Sequence, residues 1–222
     1  MGCAQSTIKL EEEKIQKALT DALSHAAQRA IDQVGKDGGF SANPDIHIGL
    51  PGKIGDFLNK VKELPGLGDS VDDFEKTMNQ AAETAAGDAI GIFTTAVEKL
   101  NFKEVRNIFE GADNAATEFF RAATSDLLMA DFKPVIREKL ARFGCVSLFE
   151  KMAEAYGKLP FCTAPEFDVE TYVAEEALNG LFHVLAQKEE EIRNNPKARE
   201  ASKVMEEVFG HPDCGKSKKK AN

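Results

Sequence analysis

Apolar residues recur every three or four positions along most of this sequence, and that spacing constrains the fold more than any other feature. Between Ile8 and Val34, seven apolar residues share one helical face, while lysine, glutamate and glutamine fill the opposite face. Similar stripes continue to about residue 210, and no alternation typical of strands persists over a useful length. Only Ile46-His47-Ile48 could form a short extended piece. The pattern predicts an all-α, single-domain bundle of about eight or nine helices.

Several polar residues have the spacing of helix caps. Asn101 with Glu104, and Ser147 with Glu150, match a capping box, in which two side chains satisfy the first amides of a helix. Asp168 stands directly before another apolar stripe and is predicted to be an N-cap. These signals place three of the expected helix starts.

Proline and charge divide the chain further. Pro134 lies inside the helical stretch 125–143 and predicts a bend or a restart there, and Asn195-Pro196 predicts a break. Composition suggests an N-terminal segment over 1–7, a helical domain over 8–210 and a basic, disordered tail over 211–222.

Composition excludes several classes of protein. The best apolar run, Ala89-Ile90-Gly91-Ile92-Phe93, is far shorter than the roughly 18 residues of a membrane-spanning helix. A net charge of −9, from 37 acidic and 28 basic residues, argues against a body that binds nucleic acid. Four scattered cysteines without a C-x-x-C pair predict a reduced intracellular protein, and no cofactor or metal site is expected.

The N-terminus, Met1-Gly2-Cys3-Ala4-Gln5-Ser6, fits the pattern for N-myristoylation at Gly2. Cys3 beside it is a natural target for palmitoylation, and one myristoyl chain alone gives only marginal binding, about 10⁴ M⁻¹. A bacterial lipoprotein signal does not fit, because only two residues precede Cys3. The alternative is a chance Met-Gly start, and we expect acylation at both positions.

The last seven residues contain four lysines: Lys216, Lys218, Lys219 and Lys220. Without those four charges the rest of the chain has a net charge of −13. Near an anionic leaflet such a tail assists membrane binding by about 1 kcal/mol per lysine. A solubilising tail is the other interpretation. The stretch Gly210–Ser217 also matches a phosphate-binding loop, but a helical segment precedes it, whereas that loop requires a strand.

One set of polar residues on the predicted helices could form a buried network or a binding site: Asn79, Glu83, Thr117, Arg121 and Asp126. Asn79 and Glu83 are four residues apart, as are Thr117 and Arg121, so each pair shares a helix face. If one pair faced the other, an ion pair would be buried between helices.

No other pattern indicates catalysis. No histidine follows a glutamate by three residues, so the di-iron signature of helical bundles is absent, and no G-x-S-x-G elbow occurs. His25 is interpreted as a boundary residue and His183 as partly solvated, and the run Glu189–Glu191 as a solvated face. We therefore expect a protein that is not an enzyme.

Several segments of the sequence are distinctive: Asp37-Gly38-Gly39-Phe40, Ile46-His47-Ile48-Gly49-Leu50-Pro51, Met78-Asn79-Gln80-Ala81-Ala82-Glu83, Gly111-Ala112-Asp113-Asn114-Ala115-Ala116-Thr117, Tyr172-Val173, Gly180-Leu181-Phe182, Ile192-Arg193-Asn194-Asn195-Pro196 and Val208-Phe209-Gly210. Taken together and in this order, they are similar to the domain-of-unknown-function family numbered 4197 over about residues 15 to 210. The resemblance implies a helical fold and no assigned activity. Bacterial members often begin with an export or lipoprotein signal, from which this sequence departs at Gly2 and Cys3.

These observations lead to two functional hypotheses. The first is a non-enzymatic, lipid-anchored helical protein at the cytosolic face of the plasma membrane, acting as an interaction or scaffold module for an unknown protein partner. The alternative is a binding module whose fifteen phenylalanines line a cavity for a lipid or another apolar molecule, although phenylalanines also fill ordinary cores.

Overall fold

The computed structural model describes residues 10–215, and within that range the chain forms nine α-helices, a short 3₁₀ helix and no strand. This confirms the predicted all-α class and the number of helices. The helices are α1 (Glu12–Val34), α2 (Gly52–Lys62), α3 (Gly68–Asp88), α4 (Ile90–Glu98), α5 (Val105–Glu110), α6 (Ala115–Arg142), α7 (Cys145–Gly157), α8 (Val169–Asn194) and α9 (Lys203–Phe209), with the 3₁₀ helix at Pro196–Arg199.

The described chain divides into two compact units. The first unit contains residues 10–28, 94–124 and 185–215, and the second contains 29–93 and 125–184. The divisions fall inside α1, α4, α6 and α8, because these helices contribute residues to both units. The boundaries predicted after residues 7 and 210 remain predictions.

The core of the first unit is built from the apolar faces that the helical spacing predicts. Leu19 and Leu23 of α1 are fully buried there, as are Phe109 of α5 and Phe120 of α6. Phe209 of α9 is also buried. Burying side chains of this size contributes about 1.5–3 kcal/mol each, so helix packing is the main source of stability.

The second unit contains a cluster of aromatic rings between α2, α3, α7 and the segment before α8. The ring of Phe149 lies 5.6 Å from Phe74, 5.9 Å from Phe57 and 5.5 Å from Phe167, measured between centroids. Tyr156 meets Phe57 edge-on at 5.1 Å. Edge-to-face pairs of this kind contribute about 0.5–1.5 kcal/mol beyond the area that they bury. The cluster therefore fixes the segment between α7 and α8 to the helices beneath it.

Two sequence signals for helix ends are confirmed. Asp168 caps α8, since its Oδ1 accepts the Thr171 amide at 3.0 Å. The break at Asn195 is also present: its side-chain oxygen accepts the Lys197 amide at 3.1 Å, and a 3₁₀ helix follows. Both residues carry short polar side chains that satisfy amides which a helix start leaves unpaired.

Two signals gave wrong helix starts, and at Pro134 only one of the two predicted alternatives, the restart, is contradicted. Asn101 does not begin a helix, because α5 starts only after Glu104, whose φ of 56° is left-handed. Ser147 lies inside the first turn of α7, which starts after Gly144 with a φ of 69°. Glycine adopts that conformation without strain, so the chain turns there and α7 begins before the predicted cap. Pro134 lies within the continuous α6 and does not restart it.

Candidate functional site

Asn79, predicted as part of a polar network, is fully buried on α3 and holds the irregular segment 36–51 in place. Its Oδ1 accepts the Ile48 amide at 3.0 Å, and its Nδ2 donates to the Ile48 carbonyl at 2.9 Å. The side-chain amide thus takes the place of a neighbouring strand. This is why the extended piece expected around Ile48 does not become a strand.

Glu83, one turn further along α3, fastens the start of the same segment. Its Oε1 accepts three hydrogen bonds, from the amides of Phe40 at 3.1 Å and Ser41 at 2.9 Å and from the Ser41 hydroxyl at 2.8 Å. The Phe40 ring lies against Gly180, where a Cβ would approach the ring to 2.7 Å, so only glycine fits. Glu83 therefore serves the fold of the second unit.

Glu189 was expected on a solvated face, and that prediction is wrong. The side chain is completely buried, and it accepts the Ala116 amide at 3.0 Å, the Thr117 amide at 2.7 Å and the Thr117 hydroxyl at 2.7 Å. Glu189 lies four residues after Leu185 and three before Ile192, so it belongs to the apolar stripe of α8. That position indicates burial, but Glu189 was interpreted as solvated because it begins a run of three glutamates.

Arg193 is a second buried residue that sequence reasoning missed. Its Nε donates to Glu189 Oε1 at 2.8 Å, and its Nη1 and Nη2 donate to the carbonyls of Phe109 at 3.1 Å and Ile108 at 3.2 Å. Those carbonyls belong to the last turn of α5, where the backbone acceptors of a helix have no partner within the helix. One guanidinium thereby joins α8 to the C-terminus of α5.

The two remaining members of the predicted network lie on the surface. Arg121 and Asp126 are both exposed on α6. The expectation that Arg121 buries an ion pair is wrong, because a charged group at the surface keeps its hydration. The buried ion pair of the first unit is instead Glu189 with Arg193, and Thr117 is a partner of Glu189.

Helix α5 also contacts the first and the last described residues of the chain. Arg106 Nη2 donates to the carbonyl of Leu10 at 2.8 Å, and the amide of Gly215 donates to the carbonyl of Phe109 at 3.3 Å. Arg106 and Phe109 are three residues apart, so about 4.5 Å of helical rise separates them. Residues 10 and 215 are therefore attached to the same turn of one short helix.

The residues predicted for acylation and for the basic tail lie outside the described residues. They are Gly2, Cys3, Lys216, Lys218, Lys219 and Lys220. Their chemical roles stay predictions.

A polar groove of about 270 Å³ opens on the second unit between α2, α7 and the segment before α8. It is lined by Lys53, Asp56, Phe57, Lys60, Tyr156, Thr163 and Pro165. A hydrogen bond with the Cys162 side chain raises the pKa of the Tyr156 hydroxyl. Two lysines and one aspartate give the lining a positive balance within an acidic protein.

An apolar turn projects just before the residues that form one wall of this groove. The amide of Cys162 donates to the carbonyl of Leu159 at 3.3 Å and closes the turn, and Pro160 and Phe161 occupy its two central positions. Phe161 is fully exposed, with a left-handed φ of 61°. Its exposure gave no signal in the sequence, where apolar residues predict core.

Residues 10–215 contain free thiols but no cluster of metal-ligating side chains. Cys145, Cys162 and Cys214 are free there, and burial raises the pKa of the Cys145 thiol to about 11. Within that range no three His, Cys, Asp or Glu side chains are grouped so as to hold a metal ion. None of the described helices is long and apolar enough to span a bilayer.

Most phenylalanines belong to the core. Eleven of the fifteen are buried: Phe40, Phe57, Phe74, Phe93, Phe102, Phe109, Phe120, Phe132, Phe149, Phe182 and Phe209. Of these, Phe57 is the one that lines the polar groove. A cavity for an apolar ligand stays a prediction that these rings do not favour.

Comparison with known proteins shows the family of this chain. The model of the family described as "Protein of unknown function (DUF4197)" matches residues 9–210. No curated protein and no solved structure matches the chain.

Proposed function

The chain belongs to the DUF4197 family, a family of unknown function, and from that premise we propose a non-enzymatic, lipid-anchored helical protein at the cytosolic face of the plasma membrane. In this proposal Gly2 carries myristate, Cys3 carries palmitate and the lysine tail assists, while the body acts as an interaction or scaffold module for a protein partner. The observation that carries the proposal is the attachment of residues 10 and 215 to α5.

That attachment supports the proposal, because it holds the two described ends of the chain, Leu10 and Gly215, in one region of the first unit. Cys3 is seven residues from Leu10, a distance of at most about 25 Å along an extended chain. Lys216 follows Gly215 directly. Because Leu10 and Gly215 contact the same turn of α5, acyl chains and lysines can reach one bilayer together.

The energetics require such cooperation. A single myristoyl chain gives marginal, reversible binding, so a stable anchor needs a second signal. Without its tail the chain has a net charge of −13 and is repelled by an anionic leaflet. Lysines near the surface contribute about 1 kcal/mol each, which offsets that repulsion only if they lie close to the acylated segment.

The contacts of the buried polar residues support a role without catalysis. Glu83, Asn79, Glu189 and Arg193 direct their polar atoms at backbone groups, at the hydroxyls of Ser41 and Thr117, or at each other. A catalytic group needs a polar atom directed at a substrate. These four residues instead hold segments of the fold together, as a scaffold requires.

Metabolic labelling with a myristate analogue tests the anchor. We expect the wild-type chain to incorporate the label and to sediment with membranes, and Gly2→Ala to lose both. Cys3→Ser should keep the label but bind membranes reversibly, since one acyl chain remains. An unlabelled wild-type chain, or a Gly2→Ala variant that is equally membrane-bound, contradicts the proposal.

A change of spacing tests the role of α5. A long Gly-Ser linker between Gly215 and Lys216 keeps every charge but lowers the effective concentration of the lysines at the membrane. In the Cys3→Ser background we expect this insertion to weaken membrane retention. The matched control places the same linker after Asn222, where the lysines keep their spacing from α5. Equal retention of the two linker variants would show that the tail acts independently of its attachment.

A further inference from the structure

The turn Leu159-Pro160-Phe161 exposes apolar side chains that the fold does not use. Among the described residues the exposed large hydrophobic side chains are Leu127, Leu159 and Phe161, and two of these three lie in this single turn. Pro160 between them is also exposed. Single exposed apolar residues are ordinary, but three consecutive ones at the tip of a turn form a projecting apolar patch.

The turn is held rigidly. Pro160 restricts the backbone, and the hydrogen bond from the Cys162 amide to the Leu159 carbonyl closes the turn. Tyr156 before the turn and Phe167 after it both pack into the aromatic cluster. The protein therefore presents Phe161 at a fixed position.

The backbone of Phe161 is also unfavourable. A φ of 61° places the Cβ of an L-residue too close to the following carbonyl oxygen, and glycine is the usual residue at such a position. A fully exposed ring gains no packing within the protein to compensate. Strained residues of this kind occur where a function needs the side chain.

The charge beside the turn favours an anionic surface. The adjoining groove carries Lys53 and Lys60 with a single aspartate, Asp56, whereas Lys158, directly before the turn, is paired with Glu154 at 2.7 Å. This balance is opposite to the net charge of −9 of the whole chain. An apolar tip with lysines beside it matches the apolar interior and anionic headgroups of a cytosolic leaflet.

We propose that the Leu159–Phe161 turn inserts into the bilayer as a further membrane contact of the anchored protein. This inference rests on the proposed function, because a turn of three residues binds weakly unless the chain is already tethered. Tethering raises the effective concentration to about the millimolar range, which makes weak insertion sufficient. A protein partner suits the turn less well, since a stable protein interface buries about 800 Å² on each side.

The absence of tryptophan from the sequence provides a direct reporter. Phe161→Trp introduces a single fluorophore, and the matched control is Leu127→Trp, at the exposed leucine of α6. Each full-length chain is tethered through an N-terminal hexahistidine tag to vesicles of phosphatidylcholine and phosphatidylserine with a little nickel-chelating lipid. We expect a blue shift and quenching by brominated lipid for Phe161→Trp and neither change for Leu127→Trp.

A second variant separates insertion from folding. Phe161→Asn accepts the left-handed backbone, so its melting temperature should equal or exceed that of the wild type, while its affinity for the same vesicles falls about ten-fold. If the emission of Phe161→Trp stays unshifted when the chain is bound to vesicles, the inference is overturned. The exposed ring would then be assigned to contact with a protein partner. Because the tag replaces the acyl chains, this result is independent of myristate labelling, on which the proposed function depends.

Discussion

Glu83 in the second unit and Glu189 in the first recognise the backbone in the same way. Each carboxylate accepts two consecutive amides and the hydroxyl of the second residue, which is Ser41 for Glu83 and Thr117 for Glu189. Both glutamates are buried on a helix. The same chemistry therefore holds a loop in one unit and a helix start in the other.

Their electrostatic settings differ. Glu83 receives its three donors on Oε1 alone, whereas Glu189 uses both oxygens and also receives Arg193 at 2.8 Å. Arg193 in turn binds the last carbonyls of α5, to which residues 10 and 215 are attached. The counter-charge of Arg193 therefore helps to link three helices, α5, α6 and α8, where Glu83 holds a single loop.

The largest expected effect is that of Glu189→Gln. In either orientation of the glutamine side chain, its NH₂ group points at hydrogen-bond donors: the Thr117 amide, or the Ala116 amide and Arg193. The Arg193 guanidinium is also left buried without a counter-charge. We expect the free energy of unfolding to fall by about 3–5 kcal/mol, as for other broken buried ion pairs. Urea denaturation at neutral pH measures the loss.

A double-mutant cycle controls this prediction. Arg193→Met alone should also be strongly destabilising, because it leaves Glu189 buried with a charge. The double variant Glu189→Gln with Arg193→Met should lose clearly less than the sum of the two single losses. Additive losses would contradict the view that the two residues act as one buried pair.

The spacing of apolar residues predicts the helices well, but it does not predict the contacts that Glu189 and Arg193 make between helices. The helical period predicts the buried faces because residues that share a face belong to the same helix, so their spacing in the sequence is sufficient. Glu189 lies in such a face between Leu185 and Ile192, but its identity as a charged residue argues for solvent until Arg193 and the start of α6 are brought to it. Only the tertiary fold supplies those partners.

The exposure of Phe161 could not be predicted from the sequence, for a different reason. Pro160 and Pro165 are typical of turns between α7 and α8, and the structure has a turn at Leu159–Cys162. No rule of spacing tells an exposed phenylalanine from a buried one outside a periodic element. The same limit applies to Asn79 and Glu83, which were found as polar residues on a helix face while their partners lie in the irregular segment 36–51.

The next effect in size concerns Asn79, which fastens the same segment as Glu83. Asn79→Ala leaves the buried amide and carbonyl of Ile48 without partners, so we expect a loss of about 2–4 kcal/mol. Native-state hydrogen exchange checks the location, since the Ile48 amide should lose its protection. Thr84→Ala on the same helix is the control, because the Thr84 hydroxyl donates to the Gln80 carbonyl of α3 itself at 2.9 Å. Unchanged exchange at Ile48 would contradict the assignment.

Glu83→Gln should cost much less than the same change at Glu189. The amide oxygen of glutamine can take the position of Oε1 and keep all three hydrogen bonds, so only the charge contribution is lost, about 1 kcal/mol. Urea denaturation of the two glutamine variants side by side gives the comparison. Equal losses at the two sites would mean that the counter-charge of Arg193 does not distinguish them.

The smallest effect on stability is expected at Asp168, an exposed carboxylate. Like Glu83 and Glu189, it accepts hydrogen bonds from an amide and a hydroxyl. It accepts the amide and the hydroxyl of Thr171, and these hydrogen bonds, the hydroxyl first, lower the pKa of Asp168. Because the folded state favours the ionised form, the stabilisation is complete above the ordinary pKa of 3.8 and is lost as the pH falls through the lower folded value. Asp168→Ala should therefore cost about 1 kcal/mol at neutral pH.

The control for Asp168 separates the cap from the charge. Asp168→Asn keeps a side-chain oxygen for the Thr171 amide, so at neutral pH we expect its stability to lie close to the wild type. The difference between wild type and Asp168→Asn should shrink further as the pH falls below 3.8, because the wild-type carboxyl also becomes neutral there. A difference that stays constant with pH would show that the charge adds nothing at the surface. In that case the whole contrast between exposed and buried carboxylates would lie in burial and in the counter-charge of Arg193.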